Sequence, residues 1–264
     1  MLLKLENISK TFTAHGSTIK AVNGVSLSLA VGESLALVGG SGCGKTTLAR
    51  IIMGLEKPDT GSILLNGRPL GRDQKEQRDF CRKVRMVFQD PFASLDPRYT
   101  VRHILAEALC LEPRRTRVEE ERLMKQVLSQ VLLAQDILRR YPHEFSGGER
   151  QRIAIARALM TAPLLIILDE AVSSLDVLVQ QEILALLAAL SQKNGVTYLF
   201  ISHNLRAAQM LCSKIAVMQD GRLVECEPTA RIMAAPGHEY TKALVSAALT
   251  YRVRDKEQDE HNIL

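Results

Sequence analysis

The chain has 264 residues, 46% of them hydrophobic, and a formal net charge of +5. That length buries one α/β core with room for a smaller subdomain, but the longest unbroken apolar run, Ile183 to Leu190, has eight residues against the ~20 that span a bilayer. The charged start Met1 to Asn7 is no signal peptide, the five scattered cysteines have no framework spacing, and aromatics at 4% are too few for base-stacking platforms. A cytosolic protein is expected, one that reaches any membrane through a partner and binds no nucleic acid; the basic group Arg114-Arg115-Thr116-Arg117 reads as solvated surface.

Residues 2–29 read as strands, with Val25, Leu27 and Leu29 on one face and a turn at Gly32. The apolar run Leu35 to Val38 then leads into Gly39-Gly40-Ser41-Gly42-Cys43-Gly44-Lys45-Thr46, which fits G-x-x-x-x-G-K-[ST] without mismatch, and a helix-like stretch follows from Thr47 to Met53. A triphosphate presents several closely spaced anionic oxygens. Glycines let backbone N–H groups converge on them, and a helix N-terminus adds its positive dipole end. Lys45 is the residue to reach the β- and γ-phosphates of ATP, and the Thr46 hydroxyl the one to ligate Mg²⁺. Residues Gly39 to Thr46, with Thr47, are the candidate phosphate-binding set. Cys43 reads as a small side chain tolerated inside the loop.

Further along, Ser62 to Leu65 is a strand closed by the hairpin signal Asn66-Gly67. Val84 to Phe88 is strand-like and ends at Gln89. From Val101 to Arg140 the texture is charged and Leu-rich, and a helical subdomain is expected over residues 89–161. Ser146-Gly147-Gly148-Glu149 opens another helix with a capping box, carrying Ile153, Ala156 and Met160 on its apolar face. The buried strand Leu164 to Leu168 ends in Asp169-Glu170. A helix from Asp176 to Gln192 is closed by Asn194-Gly195. Tyr198 to Ile201 is a core strand, and Lys214 to Glu225 a hairpin about Asp220-Gly221. Short helices follow Thr229, and residues 250–264 read as a charged, frayed tail.

Polar residues thus follow three of the core strands. A strand beside a phosphate loop delivers its carboxyl end to bound nucleotide, so Asp169 suits a ligand of Mg²⁺ and Glu170 a base that polarises the attacking water. His203 follows Tyr198 to Ser202 and becomes a candidate γ-phosphate contact, although a lone His at such an edge is more often structural. Gln89 can hold water or Mg²⁺ by the same argument. His203, Cys212, Cys226 and His238 have the spacing of no compact metal site.

The order of phosphate loop, Gln89, Ser146-Gly147-Gly148, Asp169-Glu170, Ser174-Leu175-Asp176 and His203 resembles the ATP-binding subunits of ABC transporters over residues 2–249. The resemblance implies a RecA-like parallel sheet of the P-loop NTPase class, an N-terminal antiparallel β-subdomain and the inserted helical subdomain. It implies that Phe12, with Val22, stacks on adenine and that Asp176 couples two sites. It also implies that Ser146, Gly147 and Gly148 cap the ATP of a second, head-to-tail cassette, a different but related chain. Two transmembrane permease subunits and, indirectly, an extracytoplasmic solute-binding protein would complete the assembly at the cytoplasmic face of the inner membrane. Phe145 stands where the family commonly has Leu, and Glu149 where it has Gln. Phe88 to Arg98 and Glu239 to Leu244 resemble the oligopeptide, dipeptide and nickel importers; Asp169 to Ser173, with Ala171 where peptide relatives tend to have Pro, points within that branch to nickel or a metal chelate, as do Ser41 to Lys45 through Gly54 to Glu56 and His203 to Arg206, with peptide import the alternative. No iron–sulfur centre is expected.

Overall fold

In the computed structural model, which describes residues 1–14, 17–70, 74–90 and 94–249, every residue of strand β3 (Ser34–Val38) is buried. Successive side chains of a strand point to opposite faces, so such a strand must be covered on both. Leu35 and Leu37 share one apolar cluster with Leu165, Ile167, Leu199 and Ile201. Ala36 and Val38 share the other with Ile166, Leu168, Tyr198 and Phe200. These alternating sets belong to a six-stranded sheet of order β10-β9-β3-β8-β7-β6, where β6 is Val84–Val87, β7 Leu165–Asp169, β8 Thr197–Ser202, β9 Lys214–Gln219 and β10 Arg222–Pro228. β3 runs parallel to β8 and β9, and β7 parallel to β6 and β8, while β10 closes the edge antiparallel to β9.

The first face is covered by helix α1 (Lys45–Ile52) and by strands β1 (Leu3–Ala14), β2 (Ser17–Leu29) and β4 (Thr60–Leu65) of a four-stranded antiparallel sheet of order β2-β1-β4-β5, whose last member is the short β5 (Arg68–Pro69). Val25, Leu27 and Leu29 do face the core together. On the second face lie helices α5 (Gly147–Leu159), through Ile153 and Ala156, and α6 (Val177–Asn194), through Ile183, Leu187 and Leu190. Cutting one of the buried Leu or Ile side chains among these to Ala would cost about 2–5 kcal/mol, in keeping with inner strands that read as near-continuous apolar runs.

Between β6 and β7 the chain forms α3 (Val101–Glu107) and α4 (Arg117–Gln130) and then α5, as the Leu-rich texture predicts. The turns at Asn66-Gly67 and Asp220-Gly221 form with all four residues at positive φ, the conformation that two-residue hairpins require. Two helices had no sequence signal: α2 (Gln74–Lys83), where Phe80 is a lone buried apolar side chain, and the two-turn α7 (Leu205–Leu211). Beyond α8 (Thr229–Ala234) a last helix, α9, covers residues 239–249. The tail expected over 250–264, and Pro91 to Ala93 of the motif after Gln89, lie outside the described residues. Among the described residues no helix is long and apolar enough to cross a membrane.

Candidate active site

Because β3, β7 and β8 are parallel, with Val38 opposite Ser202 and Asp169 opposite Ile201, the residues that follow them emerge at one edge of the sheet. Sequence order alone therefore brings Gly39, Glu170 and His203 together there.

The loop Gly39 to Thr46 joins β3 to α1. Gly44 is its tightest point: φ is +104°, and a Cβ there would lie 2.0 Å from the carbonyl oxygen of Ala21 on β2, so only glycine fits. Gly44 is also the N-cap of α1, which has no side-chain cap and no acidic residue in its first turn. The first amides of α1 are left for an anion, and the dipole end favours one. Lys45 is buried; its Nζ donates to the carbonyl oxygens of Gly39 (2.9 Å) and Gly40 (2.8 Å) and lies 3.6 Å from Cys43 Sγ. Its ammonium is thus stored inside the loop, one swing from any phosphate seated there.

Thr46 Oγ1 donates to Asp169 Oδ1 at 3.5 Å. Asp169 is only 7% exposed, and burial, reinforced by the neighbouring Glu170 charge, raises its carboxyl above the usual range. A buried carboxylate whose charge is disfavoured in this way accommodates a cation readily. With the Thr46 hydroxyl it offers hard oxygen donors, which fits Mg²⁺ retaining most of its waters. Thr46 and Asp169 would hold the ion, and its contribution would be charge neutralisation at the phosphate oxygens.

Glu170 is held in the left-handed region at φ +47°, a conformation that costs a non-glycine residue about 1 kcal/mol. Three hydrogen bonds hold it there: its N–H donates to Ile201 O (2.9 Å), and Ser173 donates to its carbonyl from both N–H (3.0 Å) and Oγ (2.9 Å). The turn leaves the carboxylate partly accessible, with Oε1 3.4 Å from His203 Nδ1. His203, more than half exposed, reaches the same side. The sheet thus brings the expected base and the expected γ-phosphate contact into one cluster. Gln89 follows β6 at the same edge and is exposed.

Phe12 presents a 40% exposed ring with Lys10 Nζ 5.3 Å from its centroid, a position from which it can stack on a base. Val22 requires a correction. It is fully buried among the β1–β2 core residues and has no surface to offer adenine; it backs the segment whose Ala21 carbonyl abuts Gly44.

Ser146-Gly147-Gly148 stands at the start of α5, with Ser146 as its N-cap. Gly147 and Gly148 approach Leu175 and Val179, and a Cβ at Gly148 would stand 2.5 Å from Val179 Cγ1. Asp176 is the N-cap of α6, its Oδ1 accepting from the Val179 N–H (3.0 Å). The capping box forms as expected: Glu149 N–H donates to Ser146 Oγ, and Glu149 Oε2 accepts from Ser146 N–H (2.9 Å) and Oγ–H (2.8 Å). Those bonds hold the Glu149 carboxyl below its ordinary range, the backbone N–H contributing most. The Arg140 guanidinium sits 4.3 Å from the centroid of the Phe145 ring, so the unusual Phe is a buried, stacked anchor. A glutamine oxygen can accept the same bonds as the Glu149 carboxylate. Glu149→Gln should therefore cost only about 0.5 kcal/mol of helix stabilisation and leave ATPase activity undiminished in the assembled complex; a large loss in a steady-state assay would contradict it.

A contact between the loop and Tyr240 on α9, a separation of 200 residues, had no sequence signal. Nor did the Ser173 clamp on Glu170.

An uncapped glycine-rich loop on a parallel sheet, with an acidic strand end beside it, defines a P-loop nucleotide-binding ATPase. The model of the ABC transporter family matches residues 22–173, and the chain belongs to that family as an ABC ATPase cassette. It is 43% identical over 249 residues to the oligopeptide transport ATP-binding protein OppF of Bacillus subtilis, covering 93% of this chain and 82% of that protein. It is 40% identical to AppF of the same organism, covering 100% and 83%. Its fold superimposes on the cassette MJ0796, solved as a dimer in a post-hydrolysis state bound to ADP and phosphate, with a TM-score of 0.77 and 28% identity over 86% of this chain and 99% of that one.

Proposed function

We propose that this chain is the ATP-hydrolysing subunit of a peptide importer. The observation that carries the substrate class is the identity with the oligopeptide protein OppF over 93% of the chain. The nickel expectation rested on a few short stretches, Asp169 to Ser173 with its Ala171, Ser41 to Glu56 and His203 to Arg206, and yields to it.

In this reading Gly39 to Thr47 cradle the triphosphate, Phe12 stacks on adenine, and Glu170 takes a proton from the water that attacks the γ-phosphorus while His203 holds the γ-phosphate. Thr46 and Asp169, with Gln89 near the reacting water, complete that side. The cleft so built is half a site. Gly147 and Gly148 approach Leu175 and Val179, and with Ser146 they would cap the nucleotide of a second cassette in a head-to-tail pair, as a dimeric relative supports. The isolated chain then binds ATP but hydrolyses it slowly.

Residues 89–161 would pass closure of the pair to two permease subunits at the cytoplasmic face of the membrane, a solute-binding protein acting on the far side. Support comes from Arg157 on α5, which donates to Ser94 O at 2.6 Å and so ties the segment after Gln89 to the helix that begins at the capping box. Beside it lies a groove of about 590 Å³ lined by Leu95, Asp96, Arg98, Tyr99 and Glu107, a seat for a permease loop.

Uptake in cells lacking the chain tests the reading. Uptake of a radiolabelled oligopeptide should be lost and restored by the parent chain but not by Glu170→Gln, with nickel-63 uptake unchanged. Loss of nickel uptake with peptide uptake intact would reverse the substrate assignment and leave the ATPase assignment standing.

A further inference from the structure

The phosphate loop is held from outside by a residue far away in sequence. The Gly40 N–H donates to the Tyr240 hydroxyl at 2.8 Å, and the carbonyl of the same Gly39–Gly40 peptide accepts from Lys45 Nζ at 2.9 Å. One peptide plane between two glycines is therefore pinned on both edges, by Lys45 from within and by Tyr240 from α9. No other peptide of the loop has less side-chain restraint, because neither flanking residue has a Cβ.

Tyr240 is itself positioned. Glu225 on β10 accepts from the N–H groups of Gly237 (2.8 Å) and His238 (3.0 Å), and His238 Nδ1 accepts from the Tyr240 N–H (3.1 Å). Tyr240, Leu244 and Ala248, at helical spacing, pack on the main core. At the far end of α9 the carbonyl of Ala248 accepts from Arg206 Nε (3.0 Å), on the helix that starts just after His203. The strut thus spans from the loop to the segment carrying the expected γ-phosphate contact.

We infer that Tyr240 is a positioning residue for ATP binding: its hydroxyl keeps the Gly39–Gly40 peptide in place when Lys45 leaves the two carbonyls for the phosphates. In the free protein both anchors act. Once the ammonium turns outward, the Tyr240 bond is the remaining restraint on that peptide, and without it the loop must be ordered by the nucleotide itself. The inference rests on the reading of this loop as the ATP site.

The test uses the full chain, with ATP affinity measured calorimetrically, hydrolysis at saturating ATP and thermal unfolding. Tyr240→Phe removes only the hydroxyl and should weaken ATP binding about 3- to 10-fold, with turnover at saturation within about two-fold and an unchanged Tm. Gly40→Ala, whose added Cβ would stand 3.1 Å from the hydroxyl, should also weaken binding, and the two substitutions together should lose less than the sum of the single losses. Parent-like affinity in Tyr240→Phe overturns the inference, as does a weaker affinity accompanied by an equal fall in turnover and a lowered Tm, which is general loosening of the fold. Lys45→Ala distinguishes the two levels. If the parent binds ATP and this substitution leaves the affinity unchanged, the reading of the loop as the ATP site fails instead.

Discussion

Glu170→Gln should abolish turnover, by about 100-fold or more, while ATP affinity stays within about three-fold of the parent. The substitution keeps volume and hydrogen-bonding capacity and removes only the basic oxygen. The left-handed backbone of Glu170 is fixed through main-chain groups and the Ser173 hydroxyl, none of which involves the carboxylate, so the turn survives the change. The side chain contacts His203 Nδ1 at 3.4 Å, and a glutamine amide can meet the same ring. Lys45, Thr46 and the amides of α1 are untouched, which is why binding is expected to persist. The outcome is read in two assays, steady-state phosphate release and ATP titration. Hydrolysis at the parent rate would remove Glu170 as the base; a parallel collapse of affinity would mean that the charge serves binding instead.

The strained backbone at Glu170 also shows where sequence reasoning stops. The apolar run Leu165 to Leu168 and the two carboxylates after it read plainly, because a strand buried on both faces has little choice of residue, whereas Leu164, expected in the same strand, lies before it and is exposed. The phosphate loop read plainly for a similar reason, since a Cβ at Gly44 would collide with the Ala21 carbonyl. Capping boxes and Asn-Gly or Asp-Gly turns are local chemistry, and they formed where expected. What could not be read is the third dimension of local signals. Val22 was expected beside the base only through the resemblance, as a companion of Phe12, yet which strand face is covered by α1 depends on the whole β-subdomain, and Val22 lies on the covered one. The contact between Gly40 and Tyr240 joins residues 200 positions apart, and no periodicity encodes it. α2 escaped because QKEQRDFCRK presents almost no apolar face, and its end at Lys83 feeds straight into β6. The solute is a different case. In the proposed importer the residues that set it would belong to a permease and a binding protein, so short motifs of the cassette could only hint at it, and the hint from Ala171 ran against the identity spread over 93% of the chain.

Lys45→Met should weaken ATP binding about 100-fold, the loss of charge-assisted hydrogen bonds to phosphate worth roughly 3 kcal/mol. Met retains the aliphatic stem and removes the ammonium, so it separates charge from packing better than Ala does. In the free protein the substitution takes the donor from the carbonyls of Gly39 and Gly40. Each such loss costs about 1 kcal/mol when a carbonyl is left without a partner, but these two face the hollow of the loop, where water can replace the donor. Unfolding should therefore change little while affinity falls steeply. Lys45→Ala should match Lys45→Met in affinity if the ammonium alone matters, and should fall further only if the buried stem also shapes the loop. ATP titration of both variants against the parent decides this, and affinity unchanged in both would count against the loop as a phosphate cradle. Tyr240→Phe offers a graded comparison on the same peptide. It leaves the ammonium in place and removes only the outer anchor, so its loss must be the smaller one if Lys45 makes the contact and Tyr240 merely readies the loop for it.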